Sequence, residues 1–364
     1  MNEEHPVTER EPNRTEPAIS PLGTPQSPPV RARAGDIIHT SPELAVGEGD
    51  VRSAETGDTE VMTGTSLWKD AWRRLLKNKL AVFGMVVVGT IILLSILGPP
   101  IIRMTTGFNY DFIPPETELN KAFPPFQNPD GSFSWTHPMG TDAAGRDLLA
   151  RVLIGGRISL MVGIISTIVS LMIGVTFGAT AGYLGGKVDS VMMRIVDVLY
   201  SLPYMMIIIV LLAFFGGRSP LGQLVLLFIA LGAVSWLTMA RIVRGQIISL
   251  KNQEFVLAAR ATGVSTSKII FKHLVPNALG PVIVYATLTI PSVMLQEAFL
   301  SFLGLGVQPP LASWGSLASE GIQNIAIFPW QLIFPGVTMA LTLFSLNFLG
   351  DGLRDALDPQ MRKF

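Results

Sequence analysis

Two aspartates, Asp142 and Asp147, stand close together in the segment HPMGTDAAGRDLLARVLIGGRI at 137–158, flanked by Arg146 and Arg151. A carboxylate pair can hold a metal ion or activate water, but that work needs further ligands or a base converging on one point. The only histidines are His5, His39, His137 and His273, scattered without ligand spacing, and there is no cysteine at all. Thiolate chemistry, disulfides and cysteine-ligated metals are therefore excluded. The aspartates read instead as turn and cap groups. Thr141 or Asp142 is expected to start a short outer helix with Leu148, Leu149, Val152 and Leu153 on its apolar face. The glycines Gly140 and Gly145 flank that start. No Gly-x4-Gly-Lys-Ser/Thr phosphate loop occurs either, so this chain has no nucleotide site of that kind, and no catalytic residue, cofactor or metal is expected on it.

Two other carboxylates lie beside long apolar windows. Asp197 precedes Tyr200 and Pro203, and Glu297 opens the stretch EAFLSFLGLGVQPPLASWG at 297–315. A charge at membrane depth is costly and normally faces a cavity or a partner. Glu297 is expected to anchor the turn region after it or to line a translocation path. Asp197, Pro203, Glu297, Trp314 and Gly315 are thus candidates for span ends or a pore mouth. No set of intramembrane carboxylates or histidines forms a proton relay.

The segment KNQEFVLAARATGVSTSKIIFKHLVPN at 251–277 is too polar to span a bilayer and too patterned for a plain link. Asn252 is expected to cap a short helix carrying Glu254, Ala258, Ala259 and Arg260. Gly263 supplies the permissive backbone for a turn, Ser265 caps a second short helix, and Pro276 enters the first turn of the next span. Such a helix–turn–helix bump could receive force from a soluble partner or lie on lipid as an amphipathic connector.

The elements that must position these residues are membrane helices. The 364 residues are 49% hydrophobic and only 15% charged, well below the roughly 25% charge of soluble domains. A spanning helix needs roughly 20 apolar residues. Windows of that kind occupy 80–102, 158–186, 198–217, 219–240, 274–296 and 321–350, the last with its span beginning near 331 beyond Pro329 and Trp330. Six transmembrane helices are expected. With the N-terminus inside, 16 of the 22 Lys and Arg after residue 61 fall on the inner side, which places both termini in the cytoplasm. Gly174, Gly178, Gly182 and Gly186 form a stripe suited to close helix contact. Residues 304–330 have the length and aromatics for a lid or a partly inserted loop.

Three regions follow. Residues 1–61 carry 5 Lys/Arg against 12 Asp/Glu and few aromatics, and are expected to form a disordered acidic cytoplasmic tail. Residues 62–135 form an N-terminal anchor helix with an extracytoplasmic segment, and 136–364 the main transmembrane domain with loop 251–277.

Three stretches resemble the inner-membrane permease subunits of ATP-binding-cassette importers, and among them the second permease of the dipeptide, oligopeptide and nickel group. They are Gly140-Thr141-Asp142 with Gly145-Arg146-Asp147, the loop at 252–276, and the 297–315 motif. The usual permease loop runs Glu-Ala-Ala, three residues, Gly, nine residues, Ile-x-Leu-Pro. Ala258, Ala259, Gly263 and Pro276 match it, while Leu257, His273 and Val275 replace its Glu, Ile and Leu, and a glutamate stands earlier at Glu254. The resemblance implies an all-α type I permease fold in the cell membrane and the import of di- or oligopeptides. It also implies three kinds of partner: a second permease, two cytoplasmic ATPases carrying ATP and magnesium, and an extracytoplasmic solute-binding protein. Loop 251–277 would be the ATPase-coupling element. No nucleic-acid partner is expected. A six-span secondary transporter or channel would share the helices but would require a solute site of midplane charges or broken helices.

Overall fold

The computed structural model describes residues 67–107, 109–112, 122–127, 131–216 and 219–357. The tail assigned to 1–61 lies outside them, as do Arg362 and Lys363 of the charge count. Regular structure in the described residues is helical, apart from isolated bridges pairing Gln127 with Phe133 and Thr141 with Asp147. An amphipathic helix α1 (Leu67–Lys77) leads through the cap residue Asn78 into α2 (Lys79–Thr106). Then come α3 (Leu148–Leu184), α4 (Gly186–Ser201), α5 (Tyr204–Phe215) and α6 (Pro220–Leu250). The bump consists of α7 (Glu254–Ala261) and α8 (Thr266–Lys268). A π-helical turn (Ile269–Leu274) joins α8 to α9 (Val275–Phe302), and α10 (Trp314–Gln323) and α11 (Trp330–Leu357) complete the chain.

The chain is a multi-pass membrane protein. Among the described residues, five helices are long and apolar enough to cross a bilayer: α2, α3, α6, the continuous helix Thr266–Phe302, and α11. Each overlaps one expected window. The third window, 198–217, differs: it is divided between α4 and α5, which bend by 76° at their junction, and six spans result only if the pair counts as one. The cause is local. Pro203 has no amide hydrogen, and its ring drives the preceding residue out of the helical region. Leu202 accordingly adopts φ −79°, ψ 143°, and α5 restarts at Tyr204.

Packing of α3 on α6 is set by glycine. A Cβ on Gly174 would sit 2.6 Å from Met239 Cβ, one on Gly178 would strike the Ala240 carbonyl, and one on Gly182 would meet the Arg244 carbonyl at 2.9 Å. The stripe therefore finds α6, and the two helices run parallel. Gly186 is not part of it. That residue faces open space at φ 55° and, with Gly185 at φ 66°, turns the chain from α3 into α4. Lys251 Nζ donates to the Gly182 carbonyl at 3.1 Å, placing a cation at the C-terminal end of α3 where helix carbonyls lack partners.

Helices α2 and α11 run antiparallel along the other side, with Gly84 against the Ser345 backbone and Gly352 against Ala81. Ala71 and Leu75 of α1 are buried with Ala81 and Ala356. The described chain thus begins and ends at one end of the bundle, the end that carries α7 and α8.

Replacing Gly178 with Ala should destabilise the purified protein by about 1–3 kcal/mol, the usual cost of overpacking. Gly89→Ala, with nothing within 4 Å of the added carbon, should be neutral or slightly stabilising. Thermal unfolding in one detergent distinguishes the two.

Candidate functional site

At the end of the bundle away from the bump, the expected short helix does not form. Residues 142–146 make a turn, closed by Asp142 N–H to the Arg146 carbonyl and Gly145 N–H to the Asp142 carbonyl, with Gly145 at φ 80°. Asp147 is the actual cap, its Oδ2 accepting from Ala150 N–H at 2.8 Å, and α3 then runs without a break to Leu184. Asp142 saturates itself locally before a helix can start. Its Oδ1 accepts from Ala144 and Arg146 N–H at 2.9 Å each.

The other oxygen of Asp142 enters a buried ion cluster. Oδ2 accepts from Arg146 Nε and from Arg151 Nη1, each at 2.6 Å. Arg151 is 1% exposed and turns the same fork toward Glu320 of α10, at 2.6 and 3.1 Å. Two guanidinium groups thus face two carboxylates, and each oxygen of Asp142 accepts two N–H donors. This arrangement is a structural knot and not a reactive centre. Among the described residues no group of three or more His, Asp or Glu converges to hold a metal ion. His137 Nδ1 lies 2.9 Å from Asp147 Oδ1. The Thr141 carbonyl accepts from Trp330 Nε1 at 3.1 Å and Gln331 Nε2 at 3.2 Å, tying the turn to α11. Gly140, at φ 74°, lies where a Cβ would strike the Phe123 carbonyl.

Glu297 is the companion feature on α9. It is fully buried, and its Oε1 accepts from Ser301 Oγ at 2.6 Å and Ser313 Oγ at 2.7 Å. Ser313 in turn caps α10 by accepting from Ser316 N–H at 3.0 Å. Trp314 is locked beside it, its N–H on Ser159 Oγ at 3.0 Å and its indole Nε1 on the Val152 carbonyl at 2.9 Å. Gly315 lies so close to Ala298 that a Cβ would come within 2.5 Å of its Cα. The 297–315 motif therefore welds the C-terminal end of α9, the start of α10 and the N-terminal half of α3 into one junction. The segment 304–330 is a folded cover, with α10 packed on α3, α9 and α11.

Sequence reasoning missed Arg151 and Glu320 as partners, and Ser313. Glu320 is the sole charged residue between 304 and 330, which was a usable signal.

At the opposite end, the bump differs in detail from the expected one. Gln253, not Asn252, precedes α7, and no side chain caps that helix; Ser265 occupies the N-cap position of α8 without a side-chain bond. The second short helix is not separate, because Thr266–Phe302 is one continuous helix. Gly263 does make the turn, at φ 75°. Val256 and Ala259 face inward on a core with Ile269, Ile270 and Leu274, closed by Met239, Val243 and Ile247 of α6. Arg260 stacks over the Tyr183 ring at 5.0 Å and donates Nε to its hydroxyl at 3.2 Å. The outward face presents Glu254, Phe255, Leu257, Ala258 and Arg260, with Phe271 beyond the turn.

The continuity turns on Pro276, whose missing N–H and ring would leave the carbonyl four residues earlier unpaired and crowded. The chain widens by one residue instead: Val275 N–H bonds the Ile270 carbonyl, five residues back. Asn277 Nδ2 then reaches the His273 carbonyl at 2.6 Å.

Asp197 stands in an exposed ion pair on α4. It accepts from Arg241 Nη2 at 2.8 Å, while Arg241 lies 4.3 Å over the Tyr200 ring. Asp189 makes a two-pronged pair with Arg244 at 2.5 and 2.6 Å. These pairs fasten α4 to α6 before the bend at Pro203. Between α4, α5, α6 and α9 lies a cavity of about 440 Å³ reached by Tyr204, Thr238 and Tyr285.

The family described as "Binding-protein-dependent transport system inner membrane component" matches residues 174–363, and "N-terminal TM domain of oligopeptide transport permease C" matches 66–115. The chain is 50% identical over 299 residues to the oligopeptide transport system permease protein OppC of Escherichia coli K12, covering 82% of this chain and 93% of that one. It is 42% identical over 299 residues to the dipeptide transport system permease protein DppC of Bacillus subtilis 168, covering 82% and 87%. A chain of the inward-facing MetNI methionine ABC transporter aligns at 21% identity and TM-score 0.45, over 58% of this chain and 96% of that one.

Arg151→Met should destabilise the protein by about 3–5 kcal/mol, because it strips a buried cluster of its central cation. Glu320→Gln should cost less than about 1 kcal/mol, since that side chain is partly solvated. Unfolding temperatures of the purified variants check the ranking.

Proposed function

The chain belongs to the family of inner-membrane components of binding-protein-dependent transport systems, and from that premise we propose that it is one of two permease subunits of an ATP-driven peptide importer. Its relatives are oligopeptide and dipeptide permeases, which makes a di- or oligopeptide the solute. The remaining parts are a second, similar permease, a pair of cytoplasmic ATPase subunits or domains, and an extracytoplasmic binding protein. Having no phosphate loop of its own, the chain draws on ATP hydrolysed by its partners.

The single observation that carries this reading is the bump. Its inner side is core, while Phe255 and Leu257 remain exposed on a short helix flanked by Glu254 and Arg260. Exposed apolar side chains rimmed by charge suit a protein partner. An ATPase closing on this face would push α7, whose Val256 and Ala259 pack on Ile269, Ile270 and Leu274. That motion would pass into α9 because α8, the π turn and α9 are continuous. The push would reach Glu297 and, through Ser313, α10 at the outer mouth.

In this reading the bump and both termini face the cytoplasm, the side that the Lys/Arg bias favours. Residues 62–135 serve as the N-terminal anchor and outer segment, and 136–364 as a type I permease domain counting α4–α5 as its broken span. That break would also suit a secondary transporter. However, the charges beside it, Asp197 and Arg241, are spent on each other.

The assembly test is direct. In vesicles holding this chain with its partner permease and ATPases, binding protein loaded with a di- or oligopeptide should stimulate ATP hydrolysis and uptake. No stimulation by any such peptide would overturn the reading. Gly263→Val forces a β-branched residue to φ 75°, at a local cost of about 1–2 kcal/mol. Assembly should survive, while uptake per ATP hydrolysed falls; unchanged coupling would show that the turn is not a transmitting element.

A further inference from the structure

The cavity of about 440 Å³ between α4, α5, α6 and α9 has a distinctive chemistry. Its volume falls in the range of small-molecule sites, roughly 300–1,000 Å³. No Lys, Arg, Asp or Glu lines it. One charged pair adjoins it, Asp197 with Arg241 at 2.8 Å, the guanidinium lying 4.3 Å from the ring of the lining residue Tyr200.

Its polar groups are hydroxyls and one amide. Ser235 donates to the Leu231 carbonyl at 2.9 Å, Thr289 to Tyr285 at 2.8 Å and Ser292 to Leu288 at 3.3 Å. With each proton committed to its own helix, the capacity left on these oxygens is that of acceptors. Gln296, one turn beyond Ser292, brings a side-chain amide to the wall, and its Oε1 is buried without a hydrogen-bond partner. An unpaired buried acceptor is a cost that rotation toward an incoming donor would relieve.

Resting on the peptide reading above, we propose that this cavity is the subunit's solute-contact surface and that it engages the peptide's main-chain N–H groups through Gln296 and the hydroxyls of Ser235, Thr289 and Ser292. Main-chain amides are common to every peptide. Neutral polar groups serve them all, whereas a fixed charge would favour one side-chain sign and repel the other.

The test uses the reconstituted complex with saturating peptide-loaded binding protein. Uptake is measured for a tripeptide, its analogue N-methylated at a central amide, and versions carrying Lys or Glu side chains. In the wild type, N-methylation should lower the uptake rate roughly three- to tenfold, as for loss of one neutral hydrogen bond. Exchange of Lys for Glu should change it less than about twofold. Gln296→Met, similar in shape but without polar atoms, should lower uptake of the unmodified tripeptide by a like factor and abolish the further effect of N-methylation. If that variant does not assemble, Gln296→Asn, which withdraws the amide by one methylene, gives the same reading. Full uptake by either variant, or equal N-methylation losses with and without the glutamine amide, would overturn the assignment. A wild type that carries no peptide would fail the importer reading itself. One that carries peptides but ignores N-methylation would fail only the cavity's role.

Discussion

A proline without an amide hydrogen stands where loop 251–277 enters the bilayer, and the way the chain absorbs it decides how the two ends of the molecule are connected. Inside hydrocarbon an unpaired carbonyl is costly, so a helix must either end at such a residue or find another pairing. The π turn Ile269–Leu274 finds one. The Val275 N–H reaches back five residues to Ile270, and the Asn277 side chain bonds the His273 carbonyl. Helical order therefore passes this entry point and runs from Thr266 to Phe302, in a span that also holds Pro281 and Pro291. Pro203 shows the alternative. Nothing rescues the helix there, and α4 and α5 part at 76°.

Because the helix is continuous, its two ends can share one motion. At the loop end α7 is held on it by Val256 and Ala259 packed against Ile269, Ile270 and Leu274. At the other end Glu297 is buried against Ser301 and Ser313, so the cap of α10 rests on α9. The arginine cluster around Arg151 then fixes α10 to α3. Glycines along α3 hold that helix on α6, which supplies the remaining wall of the cavity. Force applied at the loop thus has a physical route to the cover at the far end of the bundle, made of packed side chains and buried polar contacts.

Much of this was readable from residues alone where the cause is local. Apolar windows located the long helices because bilayer thickness imposes their length. Gly263 announced its turn, and Pro203 stood among the span-end candidates. What depended on partners far along the chain was not readable. Arg151 and Glu320 are 169 residues apart, and Asp197 meets Arg241 across 44, so neither pair leaves a pattern. The stripe at Gly174, Gly178 and Gly182 was visible but not its target on α6. Asp142 and Asp147 were both read as cap material, yet which one begins α3 rests on Asp142 being drawn into the turn and the arginine cluster. The π turn was hidden for a similar reason: it is a compromise between the proline and the tertiary packing of Leu274.

The absence of cysteine makes the central claim, that the loop and α9 move as one body, directly measurable. Spin labels at Ala261→Cys and Phe299→Cys, both exposed positions, report the distance from the bump to the far end of α9 in the assembled transporter. The account predicts one narrow distance that is the same without nucleotide and with ATP trapped on the partner subunits. A shift or a second distance on ATP binding would place a hinge between the loop and the span, and would contradict it.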